Sequence, residues 1–255
     1  MKHLDKAGFT IIETVLFLGI TGLLVVSVLV GTGVSINIQR YRDSVVSLQS
    51  VIQQQYSEAA NIVNLRSSGK TCDNNGNIGD SASPTESRGQ SNCVILGRII
   101  TASNVLGYRL TSASVVGVLP DVNMYQNDDD LLANAYLKKM TGTEDNYILD
   151  WGTRFVAADN SALHRLSFTV LIIRSPISGN IKTFINNSEV VDLSLAGAGA
   201  KLFNMTDPSK TGDLKMCVED NGLTTQPRMA VYLTSKTNSA SGVEILGGES
   251  SGCGA

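Results

Sequence analysis

The sequence predicts an α+β fold in which one long N-terminal helix lies against an antiparallel β-sheet. Three observations point there. Positions 9 to 65 hold an apolar run that passes, without a proline, into an amphipathic stretch. Beyond it come short β-branched segments that alternate apolar and polar residues between turns rich in Gly, Asn and Ser. Four cysteines, an even count, suit a domain held by disulfides in an oxidising compartment.

The apolar run comes first. From Thr14 to Ile36 no residue is charged, and a bilayer core takes about 20 such residues. The twelve Val, Leu, Ile and Phe residues between Val15 and Val30 supply about −4 to −7 kcal/mol on an insertion scale. A cleaved signal peptide would explain the run, with Lys2 and Lys6 as its basic region. Gly31-Thr32-Gly33 is a poor cleavage site, however, and the run is longer than such peptides need. A plain signal anchor also fits, and Lys2 and Lys6 against Arg40 and Arg42 leave its orientation open. Neither reading gives Glu13 a role beyond that of a boundary carboxylate reaching for the headgroups.

The stretch Lys6-Ala7-Gly8-Phe9-Thr10-Ile11-Ile12-Glu13 resembles the processing signal of type IV prepilins and type II secretion pseudopilins. In that family a short basic leader ends in Gly, the next residue is usually Phe, and a Glu stands fifth in the mature chain before a long apolar helix. The resemblance covers about the first 35 residues. It implies cleavage between Gly8 and Phe9 by a prepilin peptidase, N-methylation of the Phe9 amine, and pairing of Glu13 with the Phe9 amine of a neighbouring subunit. An apolar environment penalises a lone carboxylate, and a cation from the next chain removes that penalty.

The amphipathic half follows without a break. Ile38, Tyr41, Val45, Leu48, Ile52, Gln55, Ala59 and Ile62 step by three or four, with Arg40, Arg42, Asp43, Gln49, Gln53 and Glu58 on other faces. One helix from Phe9 to about Asn64 would be ~80 Å long; a head helix joined to the anchor by a linker is the alternative. Gly19, Gly22, Gly31 and Gly33 weaken such a helix, each by up to ~1 kcal/mol, and would permit close helix packing or local melting during assembly. The expected organisation is a leader at 1–8, a transmembrane and filament-core segment at 9–37, and a head at 38–255 that includes the amphipathic half.

In the head, strands are expected at Val94–Thr101, Ser114–Leu119, Leu166–Arg174, Ile181–Ile185, Leu214–Glu219, Met229–Thr234 and Val243–Leu246. Leu166, Phe168, Val170 and Ile172 alternate, as do Leu214, Met216 and Val218, and Met229, Val231 and Leu233, the period of strands with one buried face. Asp220-Asn221-Gly222 marks a turn, followed by a loop to Arg228. A second helix is expected between Asp128 and Met140, capped by an Asp. Of the three pairings open to four cysteines, Cys72–Cys93 with Cys217–Cys253 is favoured. The first closes a polar loop and the second pins the C-terminal tail to a strand; the resemblance adds weight to the second, because many pilins close that region with a disulfide. The alternative is four free thiols in a reducing cell. The cysteine spacings exclude CxxC-type zinc or redox sites.

Little else carries chemistry. His164 is the only histidine after the leader, and HExxH and P-loop motifs are absent. No cofactor is expected. Asp128-Asp129-Asp130 reads as helix capping rather than a metal site, and Asp73 to Asp80 departs from the calcium-loop pattern at Gly76. Net charge is −3, so no global basic field attracts nucleic acid. Arg88, Arg98, Arg109, Arg154, Arg165 and Arg174 would have to converge to form a DNA-binding stripe. The expectation is a structural subunit, a minor pilin or pseudopilin, and not an enzyme. It would sit in the cytoplasmic membrane with the head outside, then in an extracellular filament. Its partners would be other pilin subunits, the prepilin peptidase and the assembly machinery. A pilin-stemmed adhesin or DNA-binding module, or a type II secretion pseudopilin, is the alternative.

Overall fold

The computed structural model describes residues 10–61, 70–72, 78–80, 93–103, 107–118, 127–140, 142–158, 166–190, 193, 212–222, 224, 226–235 and 237–254. For residues 70–72, 78–80 and Cys93 it describes the backbone alone. Along the chain run α1 (Ile11–Ala60), β1 (Lys70–Cys72), β2 (Ile78–Asp80), β3 (Cys93–Ala102) and β4 (Arg109–Val118). Then come α2 (Asp128–Asn134), β5 (Tyr136–Lys139), β6 (Asp145–Ile148), β7 (Arg154–Val156), β8 (Phe168–Arg174) and β9 (Ile181–Asn186). The chain closes with β10 (Leu214–Glu219), β11 (Met229–Leu233) and β12 (Val243–Leu246).

The helix is a single piece of 50 residues, about 75 Å long at 1.5 Å per residue. Its apolar and amphipathic halves are therefore continuous, and no linker separates them. Tyr41, Val45, Leu48, Ile52, Gln55 and Ala59 are buried on the expected stripe, joined by Ser44 and Tyr56. Ile38 is half-buried, and Ile62 lies outside the described residues.

Every strand pairing among the described residues of the head is antiparallel. β5–β4–β3–β8–β9 form one sheet, with β6 also on β4; β12–β11–β10–β7 form a second, and β1 and β2 a separate pair. The stripe of α1 packs on both larger sheets. It meets Ile100, Ala102, Leu110, Phe168, Val170, Ile172 and Ile185 of the first, and Leu214, Met216, Val218, Val231 and Leu233 of the second. Alternate residues of the first sheet, among them Ile99, Val115, Leu171 and Phe184, turn to a second core closed by Leu132, Ala133 and Leu137. The centre of the first sheet is thus buried on both faces: the single buried face expected for Leu166 to Ile172 is corrected, because Leu171 and the adjoining Ile173 enter the second core.

Three further expectations need correction. The strand expected from Ser114 begins at Arg109, because β3 continues past Ile99 and gives Leu110, Thr111 and Ser112 partners. The second helix ends at Asn134; Ala135 is extended, and Tyr136–Lys139 pairs with β4 instead. An open sheet edge overrides the weak local preference of that segment. Its cap is Asn127, whose side chain accepts from the Asp130 N–H at 2.8 Å; the three aspartates fill the first turn, where the helix dipole favours negative charge.

Candidate functional site

The N-terminal half of α1 contributes no buried residue to the cores of the head among the described residues. Ile11 is 82% exposed, Phe17 66%, Leu23 71% and Ile36 46%, with comparable values between them. A β-carbon placed on Gly19, Gly22, Gly31 or Gly33 would meet nothing within 4 Å. In water this apolar surface would be strongly unfavourable. The segment is long and apolar enough to span a membrane. Its hydroxyls suit that medium too: Thr14 donates to the Ile11 carbonyl at 2.8 Å, Thr21 to Phe17 at 2.8 Å and Thr32 to Leu29 at 3.0 Å. Each of these three threonines is thereby satisfied inside its own helix, as a water-free environment requires.

At the start of the helix Thr10 is extended, and its hydroxyl accepts from the Glu13 N–H at 3.3 Å. Thr10 is the N-cap and Glu13 stands three residues on, in the first turn, where the dipole favours a carboxylate. The sequence carries the Thr-x-x-Glu spacing of a capping box at Thr10 and Glu13. Glu13 is exposed, and among the described residues it has no ion-pair partner. Gly8 and Phe9 lie outside the described residues.

Where the head begins, α1 is fastened by hydrogen bonds as well as packing. The Tyr41 hydroxyl donates to the Val218 carbonyl at 2.8 Å and accepts from the Met229 N–H at 2.6 Å. Ser44 meets Thr153 at 2.7 Å, Gln49 donates to the Val243 carbonyl at 2.7 Å, and Tyr56 meets Thr183 at 2.8 Å. Burial raises the pKa of both Tyr41 and Tyr56 above the ordinary phenol value, so both remain neutral at physiological pH. The stem and both sheets are thus tied together along the helix.

Cys217 and Cys253 form a disulfide with Cα atoms 5.8 Å apart, the favoured pairing for the tail. It joins the middle of β10 to the C-terminus across a separation of 36 residues, worth about 4 kcal/mol in the chain-entropy account. Arg228 supports it by donating to the Gly254 carbonyl and to Glu219, each at 2.9 Å. Cys72 closes β1 and Cys93 opens β3; their side chains, and with them the Cys72–Cys93 pairing, lie outside the described residues.

Arg98 is the one buried arginine among the described residues. It projects from β3 toward α1, where its Nε faces Gln55 at 2.8 Å and Glu58 at 3.0 Å. Its other nitrogens reach Ser114 at 3.0 Å, Ser112 at 3.2 Å and Asp145 at 3.1 Å. A shallow cleft beside it is lined by Ser57, Asn61, Ile95 and Gly97. Arg154 bonds Asn221 and Glu219, and Arg174 donates to the Ala60 and Gly179 carbonyls. These three guanidiniums are engaged within the chain. Arg109 is exposed at the start of β4, while Arg88 and Arg165 lie outside the described residues, as do His164 and the segment Asp73–Asn77.

The Asp triplet is occupied as well. Asp128 accepts from the Ser175 and Ser178 hydroxyls, and Asp129 pairs with Lys182 at 2.7 Å. Among the described residues no three His, Cys, Asp or Glu side chains converge as a metal site would require. Comparison with protein-family models, with curated proteins and with solved structures gives no significant match. The chain therefore stands on its own architecture: an α+β head on a helix long and apolar enough to span a membrane.

Proposed function

We propose that this protein is a structural subunit of a type IV pilus-like filament, a minor pilin or pseudopilin matured by a prepilin peptidase. The observation that supports this most is the division of α1. Its second half is the spine of a disulfide-closed head, and its first half presents an apolar surface that has no partner among the described residues. A membrane satisfies that surface before assembly, and neighbouring copies of the same helix satisfy it afterwards. Glu13, in the first turn, then takes the free amine of Phe9 from an adjacent subunit as its counterion. Gly8 and Phe9 are the processing residues, and the role is assembly rather than catalysis. The size of the head, with two larger sheets and a separate two-stranded pair, favours a sparse or tip subunit.

The test is direct. Native cells are sheared, the protein is recovered from surface filaments and membranes, and its N-terminal peptide is read by mass spectrometry. A peptide beginning at Phe9 with one added methyl group, present in the sheared fraction, is the expected result. An intact Met1, or soluble release after Gly33, overturns the proposal.

A further inference from the structure

The protein has a single tryptophan, Trp151, and it stands in an unusual place. It is 52% exposed, in a short 3₁₀ turn at Asp150–Gly152. Its backbone is left-handed, with φ 57° and ψ 24°, and Gly152 follows at φ 73°. A bulky side chain rarely adopts that region, at a cost of about 1–2 kcal/mol. Core packing does not explain this cost, because the indole is turned outward. Instead the ring lies against the stem, with the Arg40 guanidinium 4.7 Å from its centroid.

The position along the helix matters here. The uncharged, exposed run ends near Ile36. Arg40 lies about 6 Å further along the axis and Arg42 about 9 Å. The headgroup layer on each side of a hydrocarbon core is about 5–8 Å deep. Arg40 and Trp151 therefore lie at headgroup depth whenever the apolar half of α1 spans a bilayer. Trp is the residue type that favours this layer, with an apolar body and one N–H donor. Arg42, exposed on the adjoining turn, can extend toward phosphate from above. Asp43 and Asp150 are also exposed here, so the collar carries balanced charge and has no excess that would select anionic lipid.

We propose that Trp151, stacked on Arg40, docks the head onto the bilayer surface while the subunit is membrane-resident, taking a zwitterionic phospholipid headgroup as its partner. The inference rests on the reading of α1 as membrane-spanning. The head would then be held at a fixed height and tilt against the membrane, ready for extraction, and contact would be lost when the subunit leaves the bilayer.

A single tryptophan makes the test spectroscopic. The full chain is reconstituted into phosphatidylcholine vesicles, and membrane association is measured independently by flotation and resistance to alkaline extraction. The expected result is a blue-shifted emission, protection from acrylamide, and stronger quenching by lipid brominated near the carbonyl end of the acyl chain than at its terminus. A protein that floats and resists extraction, yet stays open to acrylamide and insensitive to bromine, overturns the docking and leaves the membrane span standing. Protection from acrylamide without bromine quenching, accompanied by self-association, assigns the surface to a second copy and also overturns it. Failure to float removes the membrane span itself.

Discussion

Gly97 sits where β3 shifts register against β4, between Ile95 and Gly97, and it lies against the backbone of β8. A β-carbon there would fall 1.9 Å from the Ile172 carbonyl oxygen. Backbone cannot rotate aside as a side-chain tip can, so the two strands must separate. Gly97→Ala is expected to destabilise the head by about 2–3 kcal/mol, read as a lower urea midpoint of the full chain in detergent. A loss under ~0.5 kcal/mol would mean that the bulge absorbs the methyl group. The neighbouring Arg98 shows another side of the same strand. A charge within an apolar strand normally faces water; here it is buried because Gln55 and Glu58 from α1, Ser112 and Ser114 from β4, and Asp145 from β6 surround it. Glu58 and Asp145 are themselves partly exposed, so water shares in screening the cluster and its cost is below that of a sealed ion pair.

Helix α2 is short, and what fixes it is a polar latch as much as its buried Leu131 and Leu132. Burial alone would raise the Asp128 pKa, but the hydrogen bonds from Ser175 and Ser178, with Lys182 nearby, outweigh it and hold the carboxyl below its ordinary value. A folded-state pKa below the unfolded one adds stability that is fully present above the unfolded value, about 3.9, and is lost as pH falls through the folded value. The turn between β8 and β9 should therefore loosen from α2 below about pH 4. Amide exchange at Ser178 and Gly179, followed from pH 5 to pH 3, is expected to accelerate relative to the intrinsic rate in the wild type, and Asp128→Asn should remove that step. An unchanged profile would show that the latch adds nothing to stability. This element also marks where sequence reading stopped. The α1 stripe and strands β3, β8, β9, β10 and β11 were legible because each carries five residues or more that are mostly apolar or β-branched, and the four residues of β12 because Val243, Ile245 and Leu246 stand between glycines. Tyr136–Lys139, Asp145–Ile148 and Arg154–Val156 were not, since each is three or four residues of mixed character that becomes a strand through the edge beside it. The site divides similarly. The Cys217–Cys253 bridge was favoured among three pairings because it pins the tail to a strand, with weight added by the resemblance, and it forms; Trp151 against Arg40 joins positions more than a hundred residues apart and leaves no local pattern.

The whole molecule consists of two parts with separate sources of stability. The head closes its cores around the second half of α1 and ties its tail with Cys217–Cys253. The stem contributes no residue to those cores, so its apolar residues are not constrained by the packing of the head. A substitution in the stem should then change where the protein resides without changing whether its head folds. Leu24 is 56% exposed and lies midway along the run. Arginine there removes about 0.5 kcal/mol of favourable insertion and adds about 2.5–3.5 kcal/mol of penalty. Against the −4 to −7 kcal/mol supplied by the apolar residues, insertion becomes marginal. Leu24→Arg is expected to shift much of the protein from the alkali-resistant membrane fraction to the extractable one. Near-ultraviolet circular dichroism and the thermal midpoint of the head in detergent should stay unchanged. If instead the head loses its tertiary signal, the two halves of α1 are energetically coupled, and the stem helps to stabilise the head in the monomer.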